Sequence, residues 1–147
     1  MITLYTIGFT KKSAKDFFEL LKKHNVKTLI DVRISNSSQL AGFAKGSDLT
    51  YFLDQIGGIK YRHIVDFAPT KELLNKYRAG KVDWDEYEKV FADLMLKRHI
   101  NQRYNVNNFD QCCFLCSEET PEHCHRRLLA EHLKAQAPDE VRIIHLV

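Results

Sequence analysis

The chain has 147 residues, of which 44% are apolar and 28% charged, with a formal net charge of +3. That is enough chain for one full core, and the slight charge argues against a blanket-basic nucleic-acid binder. No apolar run approaches the ~18 residues of a membrane span. The N-terminus carries no charged segment leading into an apolar signal region. The four cysteines are clustered, and without such a signal they read as reduced cytoplasmic thiols rather than a disulfide framework.

In chain order, residues 2–7 form a β-rich run closed by Gly8, where a tight turn or a close ligand approach is expected. Ser13 with Asp16 is a capping box for a helix carrying Ala14, Phe17, Phe18 and Leu21 on one stripe, stopped near Asn25. Residues 26–32 are the second strand, continuous enough at Leu29-Ile30 to be covered on both faces. It ends in Asp31-Val32-Arg33, whose two charged side chains share a face if the strand holds. Residues 34–47 are a long polar loop containing Gln39, of a length that usually marks binding. Ser47 or Asp48 caps a helix through Ile56, closed by Gly57-Gly58. Residues 59–65 are a third strand, and Ala68-Pro69-Thr70 opens a short helix ending near Gly80. Asp83 with Glu86 caps a helix bearing Trp84, Tyr87, Phe91 and Met95, which read as core. A polar link over 101–108 leads to a cysteine-bearing strand, a last helix ends before Pro138, and residues 141–147 close the sheet. Strands alternating with helices imply a single α/β domain over 1–147: a three-layer sandwich with a mostly parallel, Rossmann-like sheet of about five strands.

The densest chemistry lies between Cys112 and Arg127, where all four cysteines fall. Thr120 is the expected N-cap of the last helix, with Pro121 at its first position and Glu122 in its first turn. A turn of about 100° per residue then points His125 at the sheet with Leu128, Leu129 and Leu133. It leaves Arg126 on the flank, Arg127 toward water and Cys124 on the opposite flank. Along the strand, Cys112, Phe114 and Cys116 share one side, Cys113 and Leu115 the other, so Cys113-x-x-Cys116 is a poor ligand pair.

Thr6-Ile7-Gly8, Asp31-Val32-Arg33, Gly58-Ile59-Lys60-Tyr61 and Cys116-Ser117-Glu118 with Pro121-Glu122-His123-Cys124-His125-Arg126 follow one another in an order that resembles the DUF488 family of bacterial and archaeal proteins. The resemblance spans nearly the whole chain. It implies the fold and the place of the site, and brings no reaction with it. Many members carry His and Ser after the first glycine, where Phe9 and Thr10 stand here. Many also have a proline and a Ser-Arg pair after Asp-Val-Arg, where this chain has Asn36, Ser38 and Gln39.

Two functional classes follow. The first is an enzyme acting on a small or nucleotide-like anionic substrate at the carboxyl edge of the sheet, as a thiol- or carboxylate-dependent transferase or hydrolase. Gly8, Arg33, Arg126 and Gln39 would bind the substrate. Cys124 or Cys116 would be the nucleophile, with His125, Asp31 and Glu118 in acid–base or orienting roles. A buried Arg126 or Arg33 is expected to need a carboxylate partner. Neither the Cys-x5-Arg loop of cysteine phosphatases nor a Gly-Lys-Ser phosphate loop is present. The second class is a non-catalytic module for metal, nucleic acid or a protein partner. No cofactor is required by the pattern. Zinc or iron would be the ion taken by Cys116, Cys124, His125 and His123, although joint ligation by adjacent helical Cys124 and His125 is strained. Nucleic acid is disfavoured by the charge, no membrane partner is expected, and the chain is expected as monomer or homodimer.

Overall fold

A computed structural model of the chain describes residues 1–36, 45–118 and 121–147. Its five strands are β1 (Ile2–Gly8), β2 (Thr28–Asp31), β3 (Lys60–His63), β4 (Cys112–Cys116) and β5 (Val141–Leu146). They form one sheet in the order β3-β2-β4-β1-β5, with every neighbouring pair parallel. The helices are α1 (Ala14–Lys23), α2 (Gly46–Gly57), α3 (Lys71–Arg78), α4 (Trp84–Lys97), α5 (Ile100–Arg103) and α6 (His125–Lys134). The three-layer α/β architecture expected from the alternating pattern is the one that forms.

Strand order explains which helix covers which face. The connections β1–α1–β2 and β2–α2–β3 travel toward the β3 edge, while β3 to β4 and β4–α6–β5 travel the other way. Right-handed crossovers running in opposite directions lay their helices on opposite faces. The cores divide accordingly. Tyr5, Ile7, Leu29, Cys113 and Leu115 pack with Phe17, Phe18 and Leu21 of α1 and Leu49 and Leu53 of α2. Leu4, Ile30, Phe114 and Cys116 pack with Leu73, Tyr87, Phe91, Met95, Leu129 and Leu133 from α3, α4 and α6. The central strand β4 is buried on both sides, as a doubly covered parallel strand must be.

Local signals set the starts of α1, α3 and α4. The side chains of Ser13, Thr70 and Asp83 accept from the backbone N–H of Asp16, Leu73 and Glu86, each satisfying an otherwise unpaired first-turn donor. Three expectations are corrected. Helix α2 begins at Gly46 behind Lys45, which makes no side-chain cap, so neither Ser47 nor Asp48 caps it. The polar link over 101–108 holds α5 and a 3-10 turn, Val106–Phe109, because Ile100, Val106 and Phe109 bury into the core. Helix α6 starts four residues later than expected: Pro121 to Cys124 form a turn closed by Cys124 N–H to the Pro121 carbonyl, and Cys124 is the N-cap. Thr120 lies outside the described residues, and among those described no helix is long and apolar enough to cross a membrane.

Candidate functional site

Neighbouring strands β2 and β4 send their chains off in opposite directions, which opens a crevice beyond their carboxyl ends. On the β2 side, Asp31 is fully buried and its carboxylate is saturated. Oδ1 accepts from Arg33 N–H and Nε (3.1 and 2.8 Å), and Oδ2 from Arg33 Nη2 (2.6 Å) and the Tyr61 hydroxyl (2.7 Å). Burial and the Asp31 carboxylate both push the Tyr61 pKa up, so its hydroxyl stays a donor. The Arg33 guanidinium lies over the Phe9 ring at 5.3 Å, and His63 Nε2–H donates to the Arg33 carbonyl at 2.7 Å. Arg33 is therefore held in place from several directions.

On the β4 side the late start of α6 matters. Cys124 is extended (φ −135°, ψ 138°), so the helical rule that separates adjacent side chains by about 100° does not apply to Cys124 and His125. Cys116, Cys124 and His125 each offer a ligand atom, all within 4.8 Å of one another and all buried. The sulfurs of Cys116 and Cys124 meet, with Cα atoms 7.7 Å apart, while Cys112 and Cys113 are buried and unpaired with any other cysteine. The turn after β4 folds Cys124 back onto the strand end, so sulfurs eight residues apart in sequence meet.

His125 Nε2 lies 2.7 Å from the Val32 carbonyl. A carbonyl only accepts, so Nε2 carries the hydrogen. Burial pulls the pKa down to about 4, and the neutral ring keeps a lone pair on Nδ1. Arg126 was expected on the flank of the helix but is fully buried. It heads the stripe Arg126, Leu129, Ala130 and Leu133 at i, i+3, i+4 and i+7. Its Nη1 donates to the Glu118 carbonyl (2.7 Å) and contacts Cys116 Sγ (3.1 Å), while Nε and Nη2 have no partner among the described residues. The expected carboxylate partner is not there: none of the described acidic side chains pairs with Arg126. Burial lowers its pKa to about 10, which still leaves it charged at neutral pH.

Between these two strand ends lies a pocket of about 410 Å³. Cys116, Cys124 and His125 form its floor side; Arg33, Lys71 and Arg78 supply positive charge against the Glu118 carboxylate. Tyr77, Tyr87 and Phe9 add aromatic wall, and His123 reaches it while stacked on Trp84 at 4.9 Å.

A family model with the description "Domain of unknown function DUF488" matches residues 13–133. The chain belongs to the DUF488 family. No curated protein and no solved structure matches it. The matched stretch of this DUF488 protein runs from the cap of α1 into α6, so β1 and β5 fall outside it.

Of the residues singled out from sequence, Arg33, Cys116, Glu118, Cys124 and His125 line the pocket together. Asp31 and Arg126 stand behind it, and Gln39 lies outside the described residues. Gly8 faces the protein instead of a ligand. A Cβ there would overlap the Glu118 carbonyl oxygen and approach Arg126 Nη1 to 2.9 Å. The Gly8→Ala change is expected to cost about 1–3 kcal/mol in urea unfolding, and a neutral result would mean that the turn after β4 moves aside freely. Lys71, Asn75, Tyr77 and Arg78 of α3 also line the pocket, and their local signal is two cations and an aromatic at the ends of a capped helix. Placing them at the pocket requires knowing that α3 and α6 cover the same face.

Proposed function

We propose that this DUF488 protein is an enzyme acting on a small or nucleotide-like anionic substrate, by thiol-dependent transfer or hydrolysis at the carboxyl edge of the sheet. One observation carries the reading. A fully buried guanidinium with no carboxylate partner among the described residues touches the Cys116 sulfur, which lines the pocket. An uncompensated buried charge costs several kcal/mol, about 3–5 when one partner of a pair is missing. In the reduced chain a Cys116 thiolate supplies the missing negative charge. Arg33, oriented by Asp31, and the exposed Lys71 and Arg78 hold the anion, and Tyr77 and Tyr87 accept a flat ring. Glu118 is the exposed carboxyl at the pocket mouth and takes the acid–base role first given also to Asp31, whose oxygens are all engaged. A non-catalytic binding module is the competing reading, and the buried Cys116–Cys124–His125 donor cluster is the observation in its favour.

The test is alkylation of the reduced, chelator-treated protein with iodoacetamide, read site by site with and without adenosine 5′-monophosphate. Cys116 and Cys124 are expected to react first. The nucleotide should slow them about tenfold, and the Lys71→Ala, Arg78→Ala double variant should lose that protection. Slow labelling of all four cysteines, indifferent to nucleotide, would overturn the reading.

A further inference from the structure

The Cys116–Cys124–His125 cluster carries more than nucleophilic chemistry. A direct sulfur–sulfur bond ordinarily spans Cα separations of about 4.4–6.8 Å, and these two Cα atoms stand 7.7 Å apart. Two metal–sulfur bonds of about 2.3 Å each suit a wider pair. The third donor is oriented as metal-bound imidazoles are: one ring nitrogen donates to a backbone carbonyl, here Val32, and the other is left with its lone pair. The obstacle that the sequence raised is removed, because Cys124 is extended and its sulfur and the neighbouring imidazole converge. The Arg126 guanidinium on Cys116 Sγ favours an anionic sulfur, the form that ligates. All three residues are buried, and all three line the pocket, so a fourth position opens toward whatever occupies it.

We propose that reduced Cys116, Cys124 and His125 together form a site for one borderline-soft divalent ion of the zinc class, with its fourth position facing the pocket. Two thiolates and an imidazole select zinc over magnesium or calcium, and three protein ligands with an open position are the pattern of catalytic rather than structural zinc. The proposal rests on the enzyme reading of the pocket and assigns its sulfurs to ligation. An ion there would act as a Lewis acid beside the anion held by Arg33, Lys71 and Arg78.

Protein without a histidine tag, reduced with a phosphine under argon, is titrated with Co²⁺. One equivalent is expected to bind with a sulfur-to-cobalt charge-transfer band and the strong visible bands of a tetrahedral site, and Zn²⁺ should displace it one for one. Cys116→Ser, Cys124→Ser and His125→Gln should each weaken binding more than about tenfold, while Cys112→Ala should not. Should those variants fail to fold, X-ray absorption on the zinc-loaded natural chain is expected to count two sulfurs and one imidazole. Absence of stoichiometric uptake, or a first shell without sulfur, overturns the metal site. Nucleotide protection of Cys116 and Cys124 in chelator is a separate readout, so the metal site and the anionic-substrate reading fail independently.

Discussion

Replacing Arg126 by methionine is expected to leave the protein at least as stable as the natural chain while disabling its site. The side chain is fully buried, and among the described residues two of its nitrogens have no partner and no carboxylate compensates it. Exchanging a buried ionic group for a well-packed apolar one of similar volume is neutral or stabilising, by about 1–4 kcal/mol in favourable cases. The Glu118 carbonyl loses its donor in the exchange, an opposing cost of about 1–3 kcal/mol. The two effects are of similar size, so urea unfolding should give a stability equal to or above that of the natural protein. Function should move the other way. Without the guanidinium at 3.1 Å the Cys116 sulfur loses the cation that favours its charged form. Alkylation at Cys116 should slow and cobalt affinity should fall, each about tenfold or more. A stability loss of several kcal/mol with unchanged thiol reactivity would make Arg126 a scaffold residue and remove the main support for the proposed chemistry.

The opposite balance is expected at Asp31. It is fully exposed to protein and not to solvent, and it accepts four hydrogen bonds, three from Arg33 and one from Tyr61. Asp31→Ala removes the carboxylate from a buried arginine and leaves the Tyr61 hydroxyl without its acceptor. Breaking a buried pair by deleting one partner costs about 3–5 kcal/mol, a large share of the roughly 5–15 kcal/mol that holds a domain together. Denaturant midpoints should shift accordingly, and adding Arg33→Met to Asp31→Ala should restore part of the loss, since the stranded charge is gone. Full additivity of the two changes would mean that the pair contributes nothing as a pair. Nucleotide binding should weaken in Asp31→Ala as well, because the carboxylate orients Arg33 toward the pocket.

Much of the scaffold was legible without coordinates. The alternation of β-rich runs with capped amphipathic stripes gave the three-layer parallel architecture, because both signals act within a few residues. Ser13, Thr70 and Asp83 cap where their side chains lead one to expect, since a cap involves only a turn of backbone. The strand faces of Cys113 and Cys116 likewise followed from the two-residue period.

The errors lie where a remote contact outweighs a local preference. Thr120 and Pro121 are a good local helix start, yet α6 begins at His125 because the turn before it must bring Cys124 back to the end of β4. On α6, His125 faces inward as its spacing implies, but Ala130 packs fully and Leu128 is only half-buried, so the buried stripe extends to Arg126 as well.

The amino-acid order alone therefore sufficed for element type, for strand polarity, and for grouping Cys116, Glu118, Cys124 and His125, since each rests on spacing along a single segment. Strand order, the approach of Arg33, the recruitment of α3 to the pocket, the meeting of Cys116 with Cys124, and the lack of a carboxylate beside Arg126 among the described residues came only with folding. Those depend on which segments become neighbours across the sheet, and the handedness and packing of the whole chain set that, not any one stretch of it.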